Sequence, residues 1–406
     1  MKYTMRRLFS RGRRLGRAAL ALTAGIAASA VAVVLPAGTA FAGEAWNTPG
    51  ALAAGMGHTL LVTKPDATGW NEVYAAGSND HGELGNNTTV DSTVFVKVSN
   101  LSHVKSVAAG ARYSVAVKQD GTVWTWGANN NGQLGLGHTS ERKIPTQVPG
   151  ITNAVSASAN ETGTVLVVLA DGTVRAWGGN TGNCASSTTP VTVSGLTGVA
   201  TTQGAVASAY GFALAVLADG TVRAWGSNTS GQLGNGTTTA SCSPIAVPGL
   251  TGVSQVSAKG FHSLARLSNG TVRAWGANNL GQLGDGTTTN RLSPVTVPGL
   301  SDVAQVSAGY YHSTAVTNGS AAAIDRYTWG GGVYGQLGHG NNANVSSPTL
   351  VLGGVEGTVM EAGAYHTISL FDSAAIPEAW GRNDGGQLGI GNTTSQNTPA
   401  SVLVTW

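Results

Sequence analysis

The sequence predicts an all-β protein, a seven-bladed β-propeller of four-stranded blades, and three observations carry that expectation. First, six Trp-Gly pairs recur along the chain, at Trp126-Gly127, Trp177-Gly178, Trp225-Gly226, Trp275-Gly276, Trp329-Gly330 and Trp380-Gly381. A weaker seventh copy, Ala76-Gly77, keeps the glycine without the ring. Successive glycines lie 50, 51, 48, 50, 54 and 51 residues apart, a period of radial or stacked repeats. Second, short β-prone runs alternate with turn residues inside every unit. Third, charged residues are only 10% and glycine is 59 of 406, as expected of strands joined by tight turns. Fifty residues hold four short strands, and seven such sheets close a ring.

Each unit reads in order from its best copies. Residues 257–265 supply two strands separated by a short turn, and Asn269-Gly270 marks the next reversal. Asp120-Gly121, Asp171-Gly172 and Asp219-Gly220 fall at the same point, and such dipeptides suit a two-residue hairpin with both central residues at positive φ. The third strand, Thr271 to Trp275, alternates its faces, with Thr, Arg and Trp on one side and Val and Ala on the other. The tryptophans are expected to be wedges between sheets, with Arg175, Arg223 and Arg273 stacked on them or covering them.

A Gly-Gln-Leu-Gly element follows at 132–135, 231–234, 281–284, 335–338 and 386–389, with Gly82-Glu83-Leu84-Gly85 a near copy. Its leucine is expected to plug a groove. From each Trp to a downstream proline is 19 residues in five units, but Trp177 to Pro190 is six shorter and lacks the element. So constant a length predicts an ordered connection. The repeat begins mid-pattern near Ala51 and ends near Val402, so the N- and C-terminal strands are expected to pair in one sheet and clasp the ring.

Residues 1–42 read as a secretory signal, leaving 43–406 as the propeller. They carry seven basic residues and no acid, an apolar run from Ala18 to about Leu35, and Ala40-Phe41-Ala42 before Gly43. Arg6-Arg7-Leu8-Phe9 partly resembles a twin-arginine signal, with the general route equally open. An uncleaved membrane anchor and a basic nucleic-acid arm are the competing readings. Without this segment, 15 basic residues face 19 acidic ones, which gives no electrostatic footprint for nucleic acid. Export permits a disulfide between Cys184 and Cys242, with two free thiols as the alternative. The expectation is a secreted monomer with no stable membrane insertion after signal cleavage.

Together these motifs resemble the regulator of chromosome condensation repeat family, whose unit runs Ala-x-Gly-x-x-His-Ser, then Asp-Gly-x-Val-x-x-Trp-Gly, then Asn-x-x-Gly-Gln-Leu-Gly. The resemblance covers roughly residues 51–406, with the third unit degenerate and the first lacking its Trp. It implies a seven-bladed propeller. The best-known nuclear members act as nucleotide exchange factors for a small GTPase and touch chromatin, which export and an acidic body make a poor expectation here. A more distant resemblance is to the secreted propeller inhibitors of β-lactamase.

Catalytic motifs of the zinc-protease, nucleophile-elbow, paired-cysteine and phosphate-loop kinds are missing from the sequence. No catalytic residue, cofactor or metal ligand is expected. His58, His262, His312 and His366 share one slot, but Tyr113, Thr164 and Phe212 fill it elsewhere, which fits packing better than metal. The candidate partner-binding residues lie just before that slot, where the units differ: Met56, Arg112, Tyr210, Phe261, Tyr310, Tyr311 and Tyr365. On a turn at one end of each blade they would form a crown of residue types that anchor interfaces; filling the shaft is the equal alternative. The reading is a secreted, non-enzymatic platform for a protein partner, one version being inhibition of a secreted or cell-surface enzyme. The rivals are a structural envelope or surface protein, a carbohydrate-acting propeller and nucleotide exchange.

Overall fold

The computed structural model describes residues 50–63, 65, 70–179, 184–319, 324–351, 357–371 and 377–405. The expected signal over 1–42 lies outside them. Within the described residues no helix is long and apolar enough to cross a membrane.

The described strands form seven four-stranded antiparallel sheets, each from consecutive strands, as the fold class requires. The blades span residues 52–102, 104–147, 154–192, 206–246, 253–296, 303–350 and 357–401. Apolar clusters join each sheet to the next, including the last to the first.

The termini meet, but not within one shared blade. Leu403 to Thr405 runs past the last blade and pairs with the outermost strand of blade 1, Ser92–Ser102, by a parallel bridge of Val404 with Phe95. Phe95 N–H donates to Leu403 O at 2.8 Å and Thr405 N–H to Phe95 O at 3.0 Å. Each blade is completed locally because its outermost strand closes its own unit before the next innermost strand begins.

The hairpins also differ from expectation. Gly121 has a φ of 77°, but Asp120 is not at positive φ. Its carboxylate instead accepts from Thr122 N–H at 2.9 Å, and Gly121 N–H donates to Lys118 O. This is a three-residue hairpin ending in one left-handed glycine.

The six repeat tryptophans are fully buried wedges. The Gly-Gln-Leu-Gly loop of one blade serves the tryptophan of the next. Trp126, Trp177, Trp275, Trp329 and Trp380 each donate Nε1–H to the carbonyl of residue 83, 133, 232, 282 or 336 at 2.8–3.0 Å. The second glycine lies on the indole: a Cβ on Gly234 would stand 2.8 Å from Trp275 Nε1. The leucine is the buried plug. The loop is pinned by its leading asparagine; Asn278 accepts from Leu283 N–H and donates to the carbonyls of Thr287 and Thr289.

Two seams depart from this lock. Blade 1 has Ala76 in place of Trp, and Phe95 from its outermost strand fills the space, meeting Gly389 as the indoles meet their glycines. Blade 3 lacks the loop, and Trp225 Nε1 is buried with no hydrogen-bond partner among the described residues. There Cys184 and Cys242 are bridged, with Cα atoms 5.0 Å apart. In the complete units the first glycine packs on the second residue of the next blade's outermost strand, as Gly231 does on Leu292. Cys242 is the second residue of Ser241–Ala246. The disulfide thus occupies the place of the missing contact. Arg175 binds Thr192 Oγ1, and Arg326 lies over Trp380 of the next blade, 5.6 Å from its ring.

Candidate binding face

The turn between the first two strands of every blade lies at one end of the ring, and the loop after each Trp-Gly comes to the same end, because alternate strands of an antiparallel blade run in opposite directions. This face has an inner circle of turns and an outer circle of loops. The Asp-Gly hairpins lie on the other face.

The histidine slot locks the base of the inner circle. His58, His262, His312 and His366 place Nε2 2.9–3.0 Å from the hydroxyls of Ser114, Ser313, Thr367 and Thr59 of the next blade. Each hydroxyl donates its own proton to a carbonyl, at Glu83, Gln282, Gln336 or Gln387. The imidazoles must therefore be the donors, neutral and protonated on Nε2, with Nδ1 an unmade acceptor. Tyr113 spans its seam differently, donating to Thr164 O at 3.1 Å. Among the described residues no group of three or more histidine, cysteine or carboxylate side chains is placed to hold a metal.

Burial lowers the pKa of His58, His262 and His366 to about 3 and raises Glu83 and Glu361 to about 7. The histidines stabilise the fold above their unfolded value near 6.5 and withdraw that contribution as pH falls toward 3. The two carboxylates act oppositely, stabilising fully below about 4.5 and losing that as pH rises through 7. The denaturation midpoint is expected to change little between pH 7 and 5, then fall steeply below 4.5. An equal urea midpoint at pH 3.5 and pH 6 would show that the histidines are not buried neutral.

Above this base, blades 4 to 7 bring together most of the crown. Tyr210 and Phe261 have ring centroids 5.0 Å apart, Phe261 and Tyr310 6.0 Å, and Tyr310 and Tyr311 4.9 Å. Tyr310 stacks on Tyr365 at 5.9 Å and also meets Tyr210 at 6.2 Å. The sequence reading missed Tyr334 of the outer circle, 5.3 Å from Tyr365. Arg382 lies over Tyr334 and Tyr365 at 5.5 and 5.6 Å and is paired with Asp384. Tyr210, Tyr334 and Val333 are exposed, and Phe261, Tyr310, Tyr311 and Tyr365 are half-buried.

Met56 and Arg112 are exposed on the same face and, among the described residues, share none of the cluster's ring contacts. Met56 N–H donates to Gly110 O of the neighbouring turn, while Arg112 meets His81 Nε2, whose Nδ1 is 3.1 Å from Glu141.

Below the rings, the innermost strands line a shaft cavity of about 140 Å³, mostly with alanine, serine and glutamine. Lys259 stands where blades 1, 2, 6 and 7 have Gly55, Gly110, Gly309 and Gly363. Its ammonium donates across the shaft to Ala54 O and Ala362 O, at 2.6 and 3.0 Å. Glu361 accepts from Gln305 Nε2 at 2.8 Å and Ser307 Oγ at 2.7 Å. Glu161 takes the crown position in blade 3.

This geometry defines a repeat-built propeller with one end shaped by a tyrosine cluster over a polar shaft. The particular family follows from the repeat itself: the regulator of chromosome condensation (RCC1) repeat matches residues 71–117, 120–167, 219–266, 269–316, 327–370 and 379–405, and the chain belongs to that family. The match skips most of the degenerate third unit. The chain is 32% identical to the ultraviolet-B receptor UVR8 of Arabidopsis thaliana over 86% of its own length and 68% of the receptor's. It is 34% identical to the dog X-linked retinitis pigmentosa GTPase regulator over 33% of its length, spanning 13% of that protein. Among solved structures, human WBSCR16 superposes with a TM-score of 0.71 at 22% identity, covering 82% of this chain and 94% of that one. Yeast RCC1 (Prp20), solved bound to Kap60, superposes at 0.70 and 20%, covering 82% and 83%. A further structure of Prp20p from Saccharomyces cerevisiae, described with its binding properties to Gsp1p and histones, gives 0.70 at 20% identity and covers 82% and 85%. These structural likenesses bear on fold alone.

Proposed function

We propose that this chain is a secreted, non-enzymatic propeller that holds a protein partner through its tyrosine face. The observation that carries the reading is the continuous set of Tyr210, Phe261, Tyr310, Tyr311, Tyr334 and Tyr365, drawn from four blades and left partly open. Large rings with few rotatable bonds bury much area at low entropic cost. A protein is the ligand class proposed; propellers of the same fold are described with Kap60, Gsp1p and histones, and those partners belong to those proteins alone. The reading of residues 1–42 as a signal supports secretion, and a bridged cysteine pair suits an oxidising compartment. Inhibition of an extracellular enzyme is one form such binding would take.

The test uses residues 43–406 as bait in culture medium and on cell surfaces, with capture quantified against concentration. Tyr310→Ala with Tyr311→Ala is expected to weaken the captured partner at least ten-fold while Tm moves little. Undiminished capture by a folded double variant would remove the tyrosine face from the function.

A further inference from the structure

The mouth of the shaft holds a charge imbalance beneath an aromatic cover. Glu161 follows Asn160 in a turn one residue longer than those of the other blades. Asn160 Oδ1 fixes that turn by accepting from Thr162 N–H and Thr164 N–H at 3.0 and 2.8 Å. Glu161 Oε2 is closed off from solvent and has no hydrogen-bond partner among the described residues. An ionised carboxylate left that way is costly unless a counter-charge or donor reaches it.

The neighbours do not meet the demand. Lys259 is the one ammonium acting on both Glu161 and Glu361, and two of its protons are held by backbone carbonyls. Glu361 has donors on both oxygens. Two carboxyl groups share one ammonium, so both are held toward their neutral forms in the absence of a second cation. Burial pushes Glu161 upward, and burial is also the main cause that raises Tyr310 and Tyr365, to which the Glu161 charge adds a smaller share. The ring faces attract cations, and Arg382 already lies over two rings at the outer edge of the cluster.

We propose that the axial side of this cluster receives one basic side chain, lysine or arginine, presented by the protein partner, with Glu161 as its counter-charge and the tyrosine rings as its walls. This deepens the binding reading above and rests on it. Glu161 Oε2 is closed off from solvent in the free protein, so entry requires the side chains around it to part. Rotamer changes of partly exposed side chains are fast enough not to limit association.

The test is made on residues 43–406 carrying ring-labelled tyrosine, observed by NMR during titration with N-acetyl-arginine methylamide and N-acetyl-lysine methylamide. The neutral N-acetyl-citrulline methylamide and choline are the comparison probes. Saturable shifts of Tyr310 and Tyr365 are expected with the arginine or lysine probe and not with citrulline. Glu161→Gln, which keeps the side chain's shape, should raise the apparent Kd at least ten-fold. Shifts equal for arginine and citrulline, shifts with choline alone, or shifts unaffected in a folded Glu161→Gln protein would each overturn the proposal. Partner capture separates the two claims. Capture that depends on Tyr310 and Tyr311 but not on Glu161 refutes only the basic-side-chain site, whereas capture independent of the tyrosines refutes the binding face itself.

Discussion

Trp275→Phe is expected to destabilise the protein by roughly 1 kcal/mol more than Trp225→Phe, although both indoles are equivalent in the repeat and equally buried. At Trp275 the substitution removes a 2.8 Å hydrogen bond to Gln232 O. At Trp225 it removes a buried N–H with no partner among the described residues, so part of the cost of lost volume is offset. Truncation to alanine should cost about 3–5 kcal/mol at either site, the usual penalty for deleting a buried tryptophan. Urea denaturation of the four variants decides it. Equal costs for the two phenylalanine variants would mean that the loop carbonyl contributes nothing to the seam.

The second large effect concerns the seam that lacks that loop. Cys184→Ala with Cys242→Ala is expected to cost about 2–4 kcal/mol, because the bridge closes a long loop in the unfolded chain. The damage should be local as well. Amide hydrogen exchange should rise first in residues 154–192 and 206–246, with the other seams keeping their protection. Inner contacts such as Asn160 Nδ2 to Ala209 O at 2.6 Å remain, so the ring should loosen there without opening. A melting temperature unchanged by reductant would show that the bridge does not carry the seam.

Much of the fold was legible because each unit repeats the same physical solution. A Trp at a fixed distance before a Pro, with a plugging Leu between, reports one packing arrangement in five units. The cysteine pair was readable because Cys184 lies in the loop that lost its motif. The clasp was legible in part: the C-terminal residues do pair with the blade begun at the N-terminus, through Val404 and Phe95. Phe95, however, replaces the missing tryptophan from a different strand, and no local pattern marks that exchange. The hairpin type was missed because Asp-Gly serves two turn classes, distinguished here by the Asp carboxylate capping Thr122.

The tyrosine cluster was half legible. Variation before the histidine slot pointed to Tyr210, Phe261, Tyr310, Tyr311 and Tyr365, and the fold gathers these five. Met56 and Arg112 hold equivalent turn positions but lie outside the cluster: Met56 adjoins blade 7 but brings no ring, and Arg112 turns to His81. Tyr334 was hidden in a loop read as framework, and it reaches Tyr365 only because both circles end on the same face. Glu161 was missed since the extra residue in its turn shifts it out of register. Lys259 went unremarked although it stands in a glycine position, because its meaning depends on Ala54 and Ala362 lying across the shaft.

Hydroxyl-radical footprinting of the captured complex addresses the binding face most directly. Protection is expected at Tyr210, Phe261, Tyr310, Tyr334 and Tyr365, with the hairpins at Asp120, Asp171 and Asp219 reacting as in the free protein. Protection of those hairpins with the tyrosines left reactive would contradict the account.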